Sequence, residues 1–389
     1  MSLNSNLAVK MEPISTRPQQ MSRPQSSPDL QIIAPSMISS EVADSWHLIR
    51  SSNPSLASPY FDLEFTRSVA EVRDDVEIAV FSSEGRIVAL LPFQRSRPGQ
   101  GVPVGGRLND SHGILCHPDD KKHLPARELV EQIMATANLD SFKFHAMSQL
   151  DPSLRRCQFT ELGSHHLDLS DGWDAYYQWA RKNSVAIKRQ KQKTRKMARE
   201  IGPIRFEFDC QSDEMLEQLI AMKRSKYQRS NTFDILSVEW ASNLLRKIER
   251  INQPGFKGIL SAIFAGDRLV AIHFGMLTQN ILHYWFPVYD PEFHRYSPGT
   301  ELLLEVARVA NSHGITKVDL GYGDDPYKFR FCNGREVVSC GHITSSTLRF
   351  HLARNRYFLR QRLKGIPMKP LAKEMLRSVF PGYGQWNFR

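Results

Sequence analysis

The sequence predicts an α/β (α+β) chain built from two related halves, each a mixed, mostly antiparallel sheet flanked by helices. Three observations lead there. The chain has 389 residues, more than one small core needs and enough for two domains of ordinary size. Hydrophobic residues make up 41% and charged residues 24%, a globular balance. The order helix, hairpin, helix, strand can also be read twice along the chain.

Residues 1–40 are rich in Ser, Pro, Gln and Asn with no apolar period, and are expected to be a disordered tail. The first half, 41–170, opens with helical spacing of Phe61, Phe65, Val69 and Val72. Val76–Phe81 and Arg86–Phe93 flank Ser82-Ser83-Glu84-Gly85, which reads as a hairpin. A Gly/Pro-rich loop covers 97–118, a helix 124–137 and a strand 142–147. The second half, 171–347, has helices at 213–230 and 238–250, then a three-strand meander at 258–264, 268–277 and 281–289. A helix at 299–313 ends at Gly314, a suitable C′ residue, and a strand follows at 317–320. Strand, crossover helix and strand imply a parallel pair. Residues 348–389 form a basic, helical extension.

Net charge is +10, which favours anionic partners such as a phosphate-rich cofactor, nucleic acid or an anionic membrane face. The five cysteines, Cys116, Cys157, Cys210, Cys332 and Cys340, show no CxxC spacing and read as reduced thiols. No 18-residue apolar run predicts a transmembrane helix, and no secretory h-region begins the chain, so a cytoplasmic location is expected. His165–His166 lack a third ligand at metal spacing, so no metal site is expected.

The stretch from Tyr284 to Thr300 is the most informative. A strand ends at Tyr289, a loop carries His294, Arg295 and Tyr296, and Ser297-Pro298-Gly299 opens a helix. Ser297 suits the N-cap, Pro298 suits N1, and Gly299 admits close approach of a ligand. Helix-start amides beside an arginine make an anion site that a pyrophosphate, as in coenzyme A, would fit. The plainer alternative is that Ser-Pro-Gly only starts a helix.

Several runs taken together resemble the CelD-like branch of the GNAT acyltransferases. They are Tyr296-Ser297-Pro298-Gly299, Asp319-Leu320-Gly321-Tyr322-Gly323-Asp324-Asp325 and Tyr327-Lys328-Phe329-Arg330-Phe331. In the first half they are Ser58-Pro59-Tyr60-Phe61, Leu91-Pro92-Phe93, Val104-Gly105-Gly106 and Asn109-Asp110-Ser111-His112-Gly113. The resemblance covers roughly residues 41–345 and extends to Fem-type aminoacyltransferases, so it implies tandem GNAT-like halves. The loop from His294 to Thr300 has fewer glycines than the usual GNAT phosphate loop. The resemblance implies acetyl-CoA or another acyl-CoA as donor, held by Val288, Tyr289, His294, Arg295, Tyr296, Ser297, Gly299 and Thr300. It implies a backbone N–H of Val288 or Tyr289 to polarise the thioester, Pro287 having none.

Acyl transfer also needs a proton acceptor, and Asp319, at a strand end beside the cleft, is a candidate with a raised pKa. Asp324, and Asp110 and His112 of the first-half loop, are further candidates, and Tyr327 can protonate the leaving thiolate. Lys328 and Arg330 would share one face if 327–331 were a strand, and with Tyr322 they are expected to bind substrate. Each also has a structural alternative: Asp319 as a local cap, Tyr327 as a packed aromatic, His112 as a solvated loop residue.

Arg181–Arg199 carries seven Lys and Arg within 182–196 and no acid before Glu200, and reads as an exposed helix: a solvated linker, or a contact for tRNA or an anionic saccharide. The basic residues after 348 either pack on the second half, the preferred reading, or rest on the inner membrane face. Three functions follow: acyl-CoA-dependent transfer to an amine or hydroxyl acceptor, which the resemblance implies is a saccharide in cellulose or exopolysaccharide biosynthesis; aminoacyl-tRNA-dependent Fem-like transfer; or a non-catalytic role in a polysaccharide synthase complex, likewise implied by the resemblance.

Overall fold

The computed structural model describes residues 27–148 and 150–364. The first half comprises strand β1 (Asp29–Ile33), helices α1 (Ser40–Ser52) and α2 (Leu63–Val72), strands β2 (Val76–Ser83), β3 (Arg86–Arg97), β4 (Gln100–Pro103) and β5 (Leu115–Cys116), helices α3 (Pro118–Lys121) and α4 (Ala126–Thr136), and strands β6 (Ser141–Ser148) and β7 (Gln158–Asp168). The second comprises α5 (Gly172–Asn183), α6 (Val185–Glu200), β8 (Ile204–Glu207), α7 (Asp213–Arg229), α8 (Glu239–Glu249), β9 (Asn252–Gln253), β10 (Phe256–Ala265), β11 (Arg268–Thr278), β12 (Ile281–Tyr289), α9 (Pro298–Ala310), β13 (Lys317–Tyr322), β14 (Gly334–Thr344) and α10 (Thr347–Lys364).

The strands join in one sheet in the order β1-β2-β3-β4-β6-β14-β7-β13-β12-β11-β10-β8, with β5 on β3 and β9 on β10. Each half contains one parallel pair, β4 with β6 and β12 with β13, and the other ladders are antiparallel. This is the mixed, mostly antiparallel pattern that the two-half reading requires. The halves exchange ends. β7, last in the first half, pairs with β13 of the second, and β14 inserts between β6 and β7.

Local chemistry explains the main elements. Asp62 and Ser212 cap α2 and α7 by accepting from the Glu64 and Met215 amides. Leu302, Leu303 and Val306 of α9 are buried against Ile259, Ile263 and Leu282 of the sheet. On the opposite face Leu244, Leu245 and Ile248 of α8 pack with Leu260, Ile272 and Phe274, and with Tyr60, Phe65 and Val69 of the first half. That shared core clamps the two halves together. A 3-10 turn, Asn311–His313, extends α9 to Gly314, whose φ of +71° ends it in the left-handed region.

The structure corrects some expectations and decides others left open. Asp29–Ile33, assigned by composition to the structureless tail, is an edge strand on β2, with Leu30 and Ile32 packed on the first-half core. Residues 1–26 lie outside the described residues. Tyr327–Phe331 is no strand: Lys328–Arg330 is a single 3-10 turn, because the Lys328 side chain turns inward to backbone carbonyls. His165–His166 lie inside β7, and β14 lies where no strand was expected. The basic run breaks at Ser184 into α5 and α6, and α6 buries Ile187, Gln190 and Met197. Helix α10 packs along β14, with Phe159 of β7 against Phe350 and Tyr357, so it covers the seam between halves. Residues 365–389, the remainder of the predicted basic extension, lie outside the described residues. Among the described residues no helix is long and apolar enough to cross a membrane.

Candidate active site

The site forms where β12 and β13 part. The two strands pair only over Ile281–His283 and Lys317–Asp319. Just beyond, β12 bulges: Met276 faces His283 and Phe274 faces Phe286, so Tyr284 and Trp285 together oppose Gly275. Gly275 permits this because a Cβ there would overlap the His283 carbonyl. Past the bulge the edge of β12 toward β13 is open, and Lys223 of α7 reaches it, donating from Nζ to the Pro287 carbonyl at 2.8 Å. Burial, with Lys226 adding to it, lowers the Lys223 pKa to about 7.

At the far end of the opening lies the start of α9. Ser297 has φ +54°, and its side chain does not cap the helix as expected; its Oγ accepts from Lys193 Nζ of α6 at 2.8 Å. The Tyr289 ring lies over Gly299, where a Cβ would come 3.3 Å from Tyr289 Cδ1. Thr300 N–H already bonds the Ser297 carbonyl. Arg295 points elsewhere: it pairs with Glu200 at 3.3 Å and bonds the Tyr296 hydroxyl. Tyr296 is buried and donates to Glu200 at 2.6 Å, and His294 Nδ1 bonds the Pro291 carbonyl at 3.0 Å. Val288 has its side chain in the core under α7 and α8. Of the expected anion-binding group, Tyr289, Ser297, Gly299 and Thr300 come together. Arg295 and Tyr296 are tied to α6, and Lys193 supplies the cation beside the helix start.

At the near end four side chains converge, two from each half. His283 Nδ1 lies 2.9 Å from Asp319 Oδ2, and the other Asp319 oxygen accepts the Gly321 N–H at 3.0 Å. His283 Nε2 lies 2.9 Å from the Tyr60 hydroxyl and 3.5 Å from Asp110 Oδ2. Tyr60 comes from the 3-10 turn Pro59–Phe61 and Asp110 from the Gly-rich loop. The expectation of a raised pKa at Asp319 is corrected. Burial works to raise it, but the hydrogen bond and charge of His283, with Lys317 and the Gly321 amide, hold it at about 2. Asp110 is the raised carboxyl: burial and the nearby Asp319 outweigh His283 and Lys328 and push it up to about 6. Burial, with Asp110 and Asp319, likewise drives the Tyr60 hydroxyl upward. With Asp319 ionised, Nδ1 of His283 carries the proton and Nε2 accepts from Tyr60.

The other predicted residues lie outside this network. Lys328 is buried and donates to the Gly321 and Tyr322 carbonyls at 2.9 and 2.8 Å, so it braces the end of β13, the strand that carries Asp319. Tyr322 is half-buried beside His145, ring centroids 6.2 Å apart. Tyr327 and Arg330 are exposed, and Asp324 is exposed with His165 Nε2 at 2.9 Å. His112 is buried, neither ring nitrogen has a partner among the described residues, and burial drives its pKa well down. Sequence reasoning missed His283, Tyr60 and Lys193. Tyr60 lies within Ser58-Pro59-Tyr60-Phe61, His283 is a polar residue in an apolar strand, and Lys193 is one cation in a run of many.

The family described as "Acetyltransferase (GNAT) domain" matches residues 186–329, the segment that holds both ends of this opening. The chain is similar in structure to FemX, with 12% identity and a TM-score of 0.54, over 83% of this chain and 100% of that one. It also aligns with a tandem GNAT protein from the clavulanic acid biosynthesis pathway, with 10% identity and a TM-score of 0.48, over 82% and 99%. No curated protein matches the chain. Beneath its exchanged strands, the chain has the fold of a GNAT acetyltransferase domain with a Fem-type structural neighbour.

Proposed function

We propose that the protein is an acyltransferase that takes its acyl group from acetyl-CoA or another acyl-CoA lying between β12 and β13, and delivers it to an amine or hydroxyl between the halves. The observation that carries this is the Asp319–His283–Tyr60/Asp110 network, set at the bulge where the two strands part. From Tyr289 back to Trp285 is about 14 Å at the usual strand rise. An extended phosphopantetheine arm with its diphosphate at Lys193 and the α9 amides would therefore bring its thioester beside His283. The open edge of β12 offers that arm backbone partners, and an amide near Tyr289 or the bulge polarises the carbonyl.

The acceptor N–H or O–H gives its proton to Asp110, whose pKa near 6 suits a base at neutral pH. The new C–N or C–O bond forms as the C–S bond breaks, and the thiolate takes a proton from Tyr327, which regains one from water. Asp110 lies 3.5 Å from His283 Nε2, a ring held in place by Asp319 and Tyr60, and it releases its proton to water after the transfer. Asp319 and Tyr60 are positioning residues in this scheme.

The resemblance to CelD-like proteins supports a saccharide acceptor in cellulose or exopolysaccharide biosynthesis, within a synthase complex at the inner membrane face. A second donor is favoured by one observation. Lys188, Arg189, Lys191, Arg195, Lys196 and Arg199 of α6 are all exposed, a basic surface that suits the acceptor arm of an aminoacyl-tRNA. Calorimetry separates the two. Saturable acetyl-CoA binding, weakened about tenfold or more by Lys193→Glu, supports the acyl-CoA reading. No binding at millimolar acetyl-CoA, with salt-sensitive tRNA binding lost when those six residues become Gln, replaces it with the second.

A further inference from the structure

The open edge of β12 lacks a backbone donor at its middle. The Asp290 N–H bonds the Val270 carbonyl at 3.0 Å. By the alternation of an antiparallel ladder, Val288 also turns its backbone groups toward β11, while Pro287 and Tyr289 turn theirs to the opening. Tyr289 presents an N–H there, and Pro287 has none to present. The stretch is accessible: Trp285 and Pro287 are half-buried and Tyr289 is exposed.

A cation stands where that N–H is missing. Lys223 of α7 is 8% exposed, and its Nζ lies 2.8 Å from the Pro287 carbonyl. Because that carbonyl points to the opening, the ammonium bound to it lies at the floor of the opening. The rings of Tyr227 and Phe286 flank it, with centroids 5.8 and 5.5 Å from Nζ. The carbonyl uses one of the three N–H donors of the ammonium, and among the described residues it is the one hydrogen-bond partner of Lys223. A single neutral carbonyl is a small return for burying an ammonium, and the remaining donors are free for a ligand in the opening.

We propose that Lys223 is a positioning residue for the donor, bonding an amide carbonyl of the pantetheine arm in place of the backbone N–H that Pro287 lacks. Pro287 is two residues from Tyr289 and two from Trp285, about 7 Å along the strand from each. An arm with its diphosphate at the α9 start and its thioester beside His283 therefore passes Lys223 at its middle, where its amides lie. The lysine also reverses the polarity of the edge at this point. It occupies the Pro287 carbonyl, which would accept an amide N–H, and offers a donor instead. This inference rests on the acyltransferase reading.

The test is calorimetry of the full chain with acetyl-CoA and with 3′-phosphoadenosine 5′-diphosphate, which has the nucleotide and diphosphate but no arm. Lys223→Met keeps the aliphatic stem. Losing a buried charge and losing its bond to Pro287 act oppositely on stability, so the thermal midpoint should stay within about 5 °C of wild type. Lys223→Met should weaken acetyl-CoA about tenfold and leave the armless nucleotide within about twofold, which also shows that the variant is folded. Lys223→Gln, the second neutral variant, should behave alike. Lys193→Glu should weaken both ligands. Pro287→Ala restores an N–H to the edge, so adding it to Lys223→Met should recover acetyl-CoA binding severalfold, which a merely structural lysine would not allow. The proposal is overturned if both neutral variants bind acetyl-CoA as wild type does, if they weaken the two ligands alike, or if Pro287→Ala recovers nothing. Each of these results, with wild-type acetyl-CoA binding intact and sensitive to Lys193→Glu, removes the role of Lys223 alone. Failure of the wild-type chain to bind acetyl-CoA at millimolar concentration removes the acyltransferase reading and this role with it.

Discussion

Gly321→Ala tests the transfer network with little disturbance elsewhere. Gly321 has φ +74°, so alanine there meets the left-handed penalty of about 1–2 kcal/mol. The new methyl would also overlap Asp110 Oδ2 outright and lie 3.2 Å from Asp110 Cγ and 3.4 Å from His283 Cε1. Asp110 must swing away, losing its approach to His283 Nε2, and a displacement of about 1 Å in a reacting group typically costs about 100-fold in rate. Gly314→Ala is the matched control: φ is +71° and nothing lies within 4 Å of its Cβ. Urea unfolding should show both variants destabilised by about 1–2 kcal/mol. Release of coenzyme A thiol from acetyl-CoA should fall about 100-fold in Gly321→Ala and stay near wild type in Gly314→Ala. Equal activity in the two variants would refute the placement of Asp110 as the proton acceptor.

Three further outcomes are expected. The folded pKa of Asp110, about 6 against an ordinary 3.8, is raised, so stability is present below 3.8 and lost as pH climbs through 6. Asp110→Asn should therefore stabilise the protein at pH 7.5, by at most about 3 kcal/mol, leave it unchanged near pH 3, and remove a rise in rate through about pH 6 in a pH–rate profile. Asp319 is the opposite case. Its folded pKa of about 2 contributes stability above 3.8 that is lost as pH falls toward 2. Asp319→Asn should cost about 2 kcal/mol or more at pH 7 in urea melts and lower kcat by about 10²–10⁴ through the wrong His283 tautomer, with acetyl-CoA affinity by calorimetry within about threefold. Arg295→Ala should change that affinity by less than about threefold, because Arg295 is held by Glu200, and a large loss would return Arg295 to the donor site.

Local patterns were legible where one face of an element is buried. Ile281–Tyr289 is bounded as expected, and the hairpin, the meander and α9 differ from their predicted limits by a few residues. Their alternation or 3.6-residue period is a direct record of one-sided burial. The exchange of β7 and β14 was illegible because strand order depends on contacts far apart in sequence, and β14 is exposed at Arg335, Glu336 and Val337 near its start. The site was legible in half. Asp110 could be singled out in a Gly-rich loop and Asp319 near a strand end, but the signs of their pKa shifts could not. Burial sets the sign at Asp110, and His283, which reads in sequence as one more residue of an apolar strand, reverses it at Asp319. The choice of Arg295 over Lys193 failed for a related reason. Proximity in sequence favoured the arginine, whereas α6 brings Glu200 to the arginine and Lys193 to Ser297.

The exchanged strands explain why such a network can be shared between halves. Tyr60 and Asp110 sit on turns of the first half, and His283 and Asp319 on strands of the second, so distances of 2.9 and 3.5 Å between them demand a fixed relation of the two bodies. A polar interface of the kind that usually joins domains would let them rock. Here β14 is hydrogen-bonded to β6 on one side and β7 on the other, and β7 continues the ladder to β13. Any hinge between the halves would have to break backbone ladders, and the Tyr60–Phe65–Val69 cluster packed against Leu260, Ile272 and Phe274 would have to part as well.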